Sequence, residues 1–390
     1  MHVTKDNSKE RLHFLDGFRA IASILVVLHH SISSFIDKVL QSMHLPYLGI
    51  MFENFTQSGV PLFFVLSGIV LLKPYIRKQR KFETGKYFVR RFKRIYPAYL
   101  GALIFGYIII VIIKSGPQTF YSNIWRWTNV HYTELLRQMM IINLSGNFYN
   151  FAWWSLQIEV VFYVLVPVFL VLFSFKKQLN FSYVLLVTIV VTLLSFGVQF
   201  FLSAYYPNVY NNDSRILSVY RFIDYPVCFV LGSYLSKFDF KSSAGSIFMI
   251  IGSVMILASY YYFPLCSAGY GFFYAGIIIK AFNSAKIRSW LDRPIMIWLG
   301  ERSYSLFLTH FSAFYLTDYI VSIFSDDRGS FYGIVSRVIG YPLALLFAML
   351  LFYFVERKQA RGLVTDKIFW PWQLKRLKNE LLDNSKPQHN

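Results

Sequence analysis

Phe14-Leu-Asp-Gly-Phe-Arg-Ala-Ile-Ala-Ser-Ile-Leu-Val-Val-Leu-His-His30 is the first apolar run of the chain, and it carries Arg19 and His30. Ionisable groups are costly at membrane depth, so they face a protein-lined or wet interior. The eleven-residue separation is about three helical turns, which sets both groups on one helix face roughly 16 Å apart. His29 is turned away by about 100°. One face therefore presents a cation at one depth and a titratable imidazole at another. That layout suits an anionic cofactor held at one end and acid/base chemistry at the other.

The bulk composition agrees with a membrane setting. Of 390 residues, 55% are hydrophobic, 19% aromatic and only 15% charged, whereas a soluble chain carries about 25% charge. Windows of roughly 17–25 apolar residues read as spanning helices. About ten are expected, over 14–36, 49–72, 95–113, 153–174, 182–203, 218–236, 246–263, 268–283, 297–323 and 332–354. The fold class is thus an all-α polytopic membrane helix bundle. The segment 114–152 contains an apolar stretch, Leu135–Leu144, that reads as an interfacial or re-entrant helix. Its Tyr121, Trp125, Trp127 and Tyr132 read as an interfacial aromatic belt in preference to a sugar-binding surface. The first run contains Arg19 and precedes no A-x-A site, so it does not read as a cleaved leader.

Charge sets the expected orientation. With the amino terminus inside, the inner segments hold 28 of the 39 basic residues. The outer segments hold Lys38, Lys114, Arg126, Arg137, Arg215 and Arg328. Cytoplasmic loops are enriched in Lys and Arg, so both termini are expected in the cytoplasm. The net charge of +19 then reflects topology and attraction to anionic lipid, and no nucleic-acid partner is expected. The organisation reads as a cytoplasmic segment 1–13, one transmembrane domain 14–357 and a basic cytoplasmic tail 358–390. Cys228 and Cys266, in a span and a loop respectively, form no motif, and no disulfide is expected.

Polar residues within the spans are the candidates for chemistry. The loop before the third span ends Arg90-Arg-Phe-Lys-Arg-Ile-Tyr-Pro97, with Pro97 in the expected first turn of the helix. Arg90, Arg91 and Arg94 recur at helical spacing, and guanidiniums clamp phosphates bidentately. Glu159 and His30 each lie about six residues from the outer end of their spans, so the two are expected to meet, the carboxylate orienting the imidazole. His310 lies mid-span, where a packed structural histidine is an equal reading. Arg221 and Asp224 form an i,i+3 pair, either a helix-internal ion pair or a ligand site. His30, Glu159 and His310 follow no metal-ligand spacing, so no metal is expected.

These motifs, in this order, resemble the membrane-bound acyltransferase 3 family. The resemblance rests on Leu15-Asp-Gly-Phe-Arg19 with His30, Gly59-Val-Pro-Leu-Phe-Phe-Val-Leu-Ser-Gly68, and Arg90 to Pro97. It continues through Trp154-Ser-Leu-Gln-Ile-Glu159, Ser303 to His310, and the closing Glu356-Arg357. Pro61 stands where many members carry an acidic residue, and Lys358 where a proline often follows. The resemblance implies an O-acyltransferase that moves an acyl group, usually acetyl from acetyl-CoA, to a hydroxyl of a surface polysaccharide or lipid-linked glycan. No extracytoplasmic hydrolase-like domain follows here, so the chain is expected to complete transfer itself or to hand the acyl group to another protein.

The expected roles follow from both readings. Arg19, Arg90, Arg91 and Arg94 hold the donor, and His30 with Glu159 performs acid/base or nucleophilic catalysis. Ser67, Ser155, Tyr163 and His310 are candidate substrate or oxyanion contacts. The partners are the lipid bilayer, acyl-CoA and a surface glycan acceptor, with self-association open, and the location a bacterial plasma membrane. A transporter or flippase of a lipid-linked glycan, and a non-catalytic polysaccharide-assembly partner, are the alternatives.

Overall fold

The computed structural model describes residues 12–76, 81–119, 121–122, 132–141, 149–175, 224–237, 240–259, 265–324 and 330–357, with scattered positions between 186 and 204. The expected span 182–203 falls on those scattered positions, each of which is helical. Residues 1–11, the tail 358–390, Trp125, Trp127 and Arg221 lie outside the described residues.

The first helix, α1, runs His13–Ser42 with Asp16 in its first turn, where a negative charge complements the helix dipole. It ends in a left-handed residue, His44 at φ 59°. His44 N–H donates to Gln41 O, and Leu45 N–H to Leu40 O. Those two bonds satisfy carbonyls that the helix end leaves open. Pro46 then opens α2, Pro46–Gln57, at a position where its missing N–H costs nothing.

Helix α3, Gly59–Ile76, continues α2 after a one-residue break at Ser58. Together they run back along α1. Gly49 lies on Asp37, Thr56 on His29 and Gly59 on Ala22 and Val26. A Cβ at residue 59 would stand 2.6 Å from the Ala22 carbonyl oxygen, so only glycine permits this approach.

Helix α4 spans Thr84–Ser115. It begins well before the expected 95–113, because the basic stretch from Thr84 to Arg94 continues the same helix. Pro97 accordingly sits mid-helix and not in a first turn. A short helix α5, Tyr132–Gln138, occupies part of the expected interfacial segment. Gln138 is buried and ties that helix to the bundle, since Tyr99 donates to its carbonyl at 2.6 Å. A 3-10 turn at Phe151–Trp153 leads into α6, Trp154–Phe175.

The remaining helices are α7 Pro226–Leu235, α8 Ser242–Ala258, α9 Leu265–Asn283, α10 Ala285–Leu291, α11 Pro294–Glu301, α12 Ser303–Phe324 and α13 Ser330–Leu351. Helix α13 passes into a π-helical turn, Phe352–Glu356. Cys266 belongs to α9 and is buried, not in a loop, and both cysteines are free thiols.

Among the described residues, six helical segments are long and apolar enough to cross a membrane: His13–Ser33, Pro46–Ile76, Thr84–Ser115, Leu265–Asn283, Ser303–Phe324 and Tyr332–Glu356. The segments Trp154–Leu170, Pro226–Leu235 and Ser242–Ala258 are shorter apolar helices. Helix α1 is central, packing on α2, α3, α10, α11 and α12. A Cβ at Gly300 would collide with the Asp16 carbonyl, so α11 seats directly on the start of α1. Phe14 stacks edge-on with Phe282 at 4.9 Å, which brings the end of α9 to that same end of the bundle.

Candidate functional site

His30 sits on α1 where that helix meets α12. Its ring lies 5.5 Å from that of His310, with 23° between the planes, and 4.7 Å from Phe311. A cleft reaches it, lined by His29, Gln57, Val60, Trp154 and Phe307 among others. His29 contacts Thr56 Oγ1 through Nδ1 at 3.2 Å. Ser155, at the start of α6, donates to the Ala152 carbonyl at 3.1 Å, and Ala152 is part of the cleft wall.

His310 is fully buried. Its Nδ1 lies 3.1 Å from Leu306 O and 2.9 Å from Phe307 O. Carbonyls only accept, so Nδ1 carries the proton and Nε2 the lone pair. That Nε2 has no hydrogen-bond partner.

The turn of α1 that carries His30 is anchored from α13. Arg337 Nε donates to Ser31 O at 3.2 Å, and Ser31 Oγ lies 2.7 Å from Tyr341 Oη. The Arg337 guanidinium meets Asp318 at 2.9 and 3.3 Å and covers the Phe314 ring at 4.9 Å. Ser336 also donates to Asp318, and Tyr332 to its carbonyl. Neither Arg337 nor Asp318 is among the residues that the sequence singles out for chemistry. Opposite charges in two successive apolar segments were the available signal.

A second polar cluster lies at the Arg19 end of α1. Arg19 donates to Asp16 at 2.8 Å. On α4, Arg91 lies over the rings of Tyr87 and Tyr163, 5.5 and 5.7 Å from their centroids. Its Nε is buried with no hydrogen-bond partner. Tyr163 donates to Glu159 Oε1 at 2.6 Å, and Ser67 to the same oxygen at 3.5 Å.

Glu356, in the π-helical turn, accepts from Ser305 at 2.6 Å and lies within electrostatic reach of Arg94, Arg19 and Arg302. Arg302 is held between Trp298 and Phe352 at 4.4 and 4.6 Å. At the adjoining α10–α11 turn, burial pushes the Asp292 carboxyl up, while His13 and Arg288 pull it down.

The expected residues thus divide into two groups. Ser67, Tyr163, Glu159, Arg91, Arg94 and Arg19 gather toward one end, and His30, His310 and Ser155 toward the other. Glu159 does not adjoin His30. Val60 precedes Ser67 by seven residues on α3, and Trp154 precedes Glu159 by five on α6. At 1.5 Å per residue, Glu159 lies about 8–10 Å deeper than the cleft. The expected pairing assumed that α1 ends near residue 36. It runs to Ser42, and Trp154 at the start of α6 lies level with His30, so α1 continues past that end of α6 and the two helix ends do not align. Arg90 is exposed and lies on a different face of α4 from Arg91.

The acyltransferase domain family, acyltransferase 3, matches residues 12–357. A Staphylococcus aureus (strain COL) protein provisionally named an O-acetyltransferase is 24% identical over 388 residues, which covers 90% of this chain and 58% of that one. The peptidoglycan O-acetyltransferase OatA of Listeria monocytogenes serovar 1/2a is 22% identical over 417 residues, 96% of this chain and 61% of its own. In Bacillus subtilis strain 168, YrhL, provisionally named a peptidoglycan O-acetyltransferase, is 24% identical over 376 residues, 88% and 54% respectively. The chain therefore spans less than two thirds of the length of these relatives. No solved structure matches.

Proposed function

Because the chain belongs to the acyltransferase 3 family, we propose that it transfers an acetyl group from acetyl-CoA to a hydroxyl of a cell-wall glycan at a bacterial plasma membrane. The relatives named for peptidoglycan O-acetylation support that acceptor class. One observation carries the reading. A single helix, α1, joins a guanidinium-rich cluster at Arg19 to a cleft that reaches His30.

The cation-rich end fits the donor's phosphates. Arg91 offers a buried Nε–H with no partner, and Arg94 and Arg19 add charge beside it. A guanidinium in an apolar wall forms strong charge-assisted bonds to phosphate. Glu159 fixes Tyr163, on whose ring Arg91 rests. In this reading Glu159 positions the donor-binding face and does not orient His30.

At the other end His30 acts as general base. The acceptor oxygen attacks the thioester carbonyl as its proton moves to His30. A C–O bond forms, the C–S bond breaks, and the departing thiolate takes that proton to leave as free thiol. Ser155, beside the cleft, is the candidate donor to the developing oxyanion.

The test uses the full chain in lipid nanodiscs with acetyl-labelled acetyl-CoA and peptidoglycan fragments. Label is expected to move to the glycan, and His30→Ala to stop it with the protein still folded. Acceptor-independent loss of label, or full transfer by His30→Ala, would overturn the reading. Glycan movement across liposomes without transfer would favour a flippase.

A further inference from the structure

His29 shares the cleft with His30, although the helix turns the two side chains about 100° apart. Their rings lie 4.8 Å apart and cross at 68°. Helix α2 fixes the protonation of His29. Thr56 Oγ1 lies 3.2 Å from its Nδ1, and also 2.9 Å from Glu53 O and 3.1 Å from Phe52 O. A hydroxyl has one proton, and carbonyls only accept. The Thr56 proton goes to a carbonyl, so Nδ1–H of His29 donates to Thr56 Oγ1. The Glu53 carbonyl also lies within hydrogen-bond reach of the imidazole. Both contacts put the proton on Nδ1 and the lone pair on Nε2.

That Nε2 makes no hydrogen bond among the described residues, and neither does the Gln57 amide. Neither group is sealed in the core, unlike Nε2 of His310. Both residues line the cleft beside His30, between apolar walls at Val60 and Phe307. A few polar groups set in an apolar cleft are what fix a ligand's orientation. Here they are an acceptor nitrogen at His29 and an amide at Gln57 that both donates and accepts.

We propose that His29 and Gln57 form the acceptor subsite: Nε2 of His29 accepts a hydrogen bond from a second O–H or N–H of the acceptor, beside the hydroxyl that His30 deprotonates. This rests on the acyl-transfer reading above and deepens it. The acceptor is then a sugar unit with at least two donor groups close together, and not a simple alcohol. The two rings are only 4.8 Å apart, so both contacts fall on one sugar unit. The second anchor decides which hydroxyl faces His30. His29 stays neutral throughout and exchanges no proton with the acceptor. It is a specificity-determining residue.

The experiment uses the full chain in nanodiscs with acetyl-CoA and the peptidoglycan disaccharide unit. Analogues of that unit lack each hydroxyl or amide N–H in turn. Removing the acylated hydroxyl stops transfer. Removing the second anchor is expected to lower kcat/KM about 3- to 10-fold, the worth of one hydrogen bond. His29→Phe is expected to cost the intact disaccharide the same factor and to lose no more with that analogue, because losses from one shared contact are not additive. His29→Gln keeps an acceptor atom near the place of Nε2 and is expected to recover part of the discrimination. The Kd for acetyl-CoA is expected to stay unchanged in both variants. In the wild-type chain, ¹⁵N spectra of labelled histidine are expected to show His29 protonated on Nδ1 and not on Nε2.

Equal kcat/KM for every analogue that keeps the acylated hydroxyl overturns the proposal. So does full discrimination in a folded His29→Phe, or a wild-type spectrum with the proton on Nε2. Loss of transfer to all acceptors alike in folded His29→Phe would assign His29 to the chemical step, and also overturns it. The wild-type acceptor series and spectrum decide even where a variant fails to fold. A wild-type chain that transfers no acetyl defeats the acyl-transfer reading itself, whereas an active wild type indifferent to the second donor group defeats the subsite alone.

Discussion

The two ends of α1 are built from opposite materials. Around Arg19 guanidiniums and carboxyl groups interleave: Arg91, Arg94 and Arg302 lie among Asp16, Glu159 and Glu356. Around His30 the walls are aliphatic and aromatic, and the polar lining of the cleft includes the imidazoles of His29 and His30 and the amide of Gln57. Charges in an apolar wall are tolerable only when paired or when a ligand of opposite sign pairs them. A neutral imidazole tolerates the same wall and still exchanges a proton. One end is therefore suited to hold an ion and the other to change a protonation state. The Asp318–Arg337 pair belongs to neither class. It is an internal clamp that keeps the His30 turn in place.

Substitutions at each place should respond differently, and the largest effect belongs to the reacting end. His30→Ala is expected to lower the transfer rate by about 10²- to 10⁴-fold, with acetyl-CoA affinity unchanged in a binding titration. Equal loss of affinity would erase the distinction between the two ends. Next is the clamp. Arg337→Met leaves Asp318 buried and unpaired, a cost of about 3–5 kcal/mol, read as a lower denaturation midpoint in nanodiscs. Adding Asp318→Asn should recover much of it. If the single variant unfolds no earlier than wild type, the clamp is not a stabilising element.

The holding end comes third. Arg91→Met is expected to weaken acetyl-CoA binding about 10- to 100-fold, the worth of a lost charge-assisted bond. The rate at saturating donor should survive. A fall in that saturated rate with unchanged affinity would assign Arg91 to chemistry. The smallest effect is expected at Arg90, which is exposed. Arg90→Ala should change stability and donor affinity by less than about 0.5 kcal/mol, and a larger loss would show that the donor reaches beyond the bundle.

Much of this was legible in the chain. Arg19 and His30 share a face because eleven residues close on three helical turns, and no neighbour can alter that. Arg91 and Arg94 are adjacent on α4 by the same rule. The helical class followed from the length of the apolar runs. Depth was not legible, since it requires knowing where a helix stops. Apolar composition fades near residue 36, yet α1 continues to Ser42 and is closed by the left-handed turn at His44. The two helix ends are therefore staggered: α6 starts at the level of His30, and Glu159 falls below it.

Local periodicity is written by the backbone itself, so the order of groups along α1, a cation then an imidazole, was determined by the sequence alone. Partnership across helices depends on which faces meet and at what height. Only the packed bundle decided that His30 faces His310, 280 positions away, and that Glu159 serves Tyr163. The physical reason is that a helix fixes angles between its own side chains. Relative height is set by close contacts such as Gly59 on Ala22 and Gly300 on Asp16, which no single segment contains.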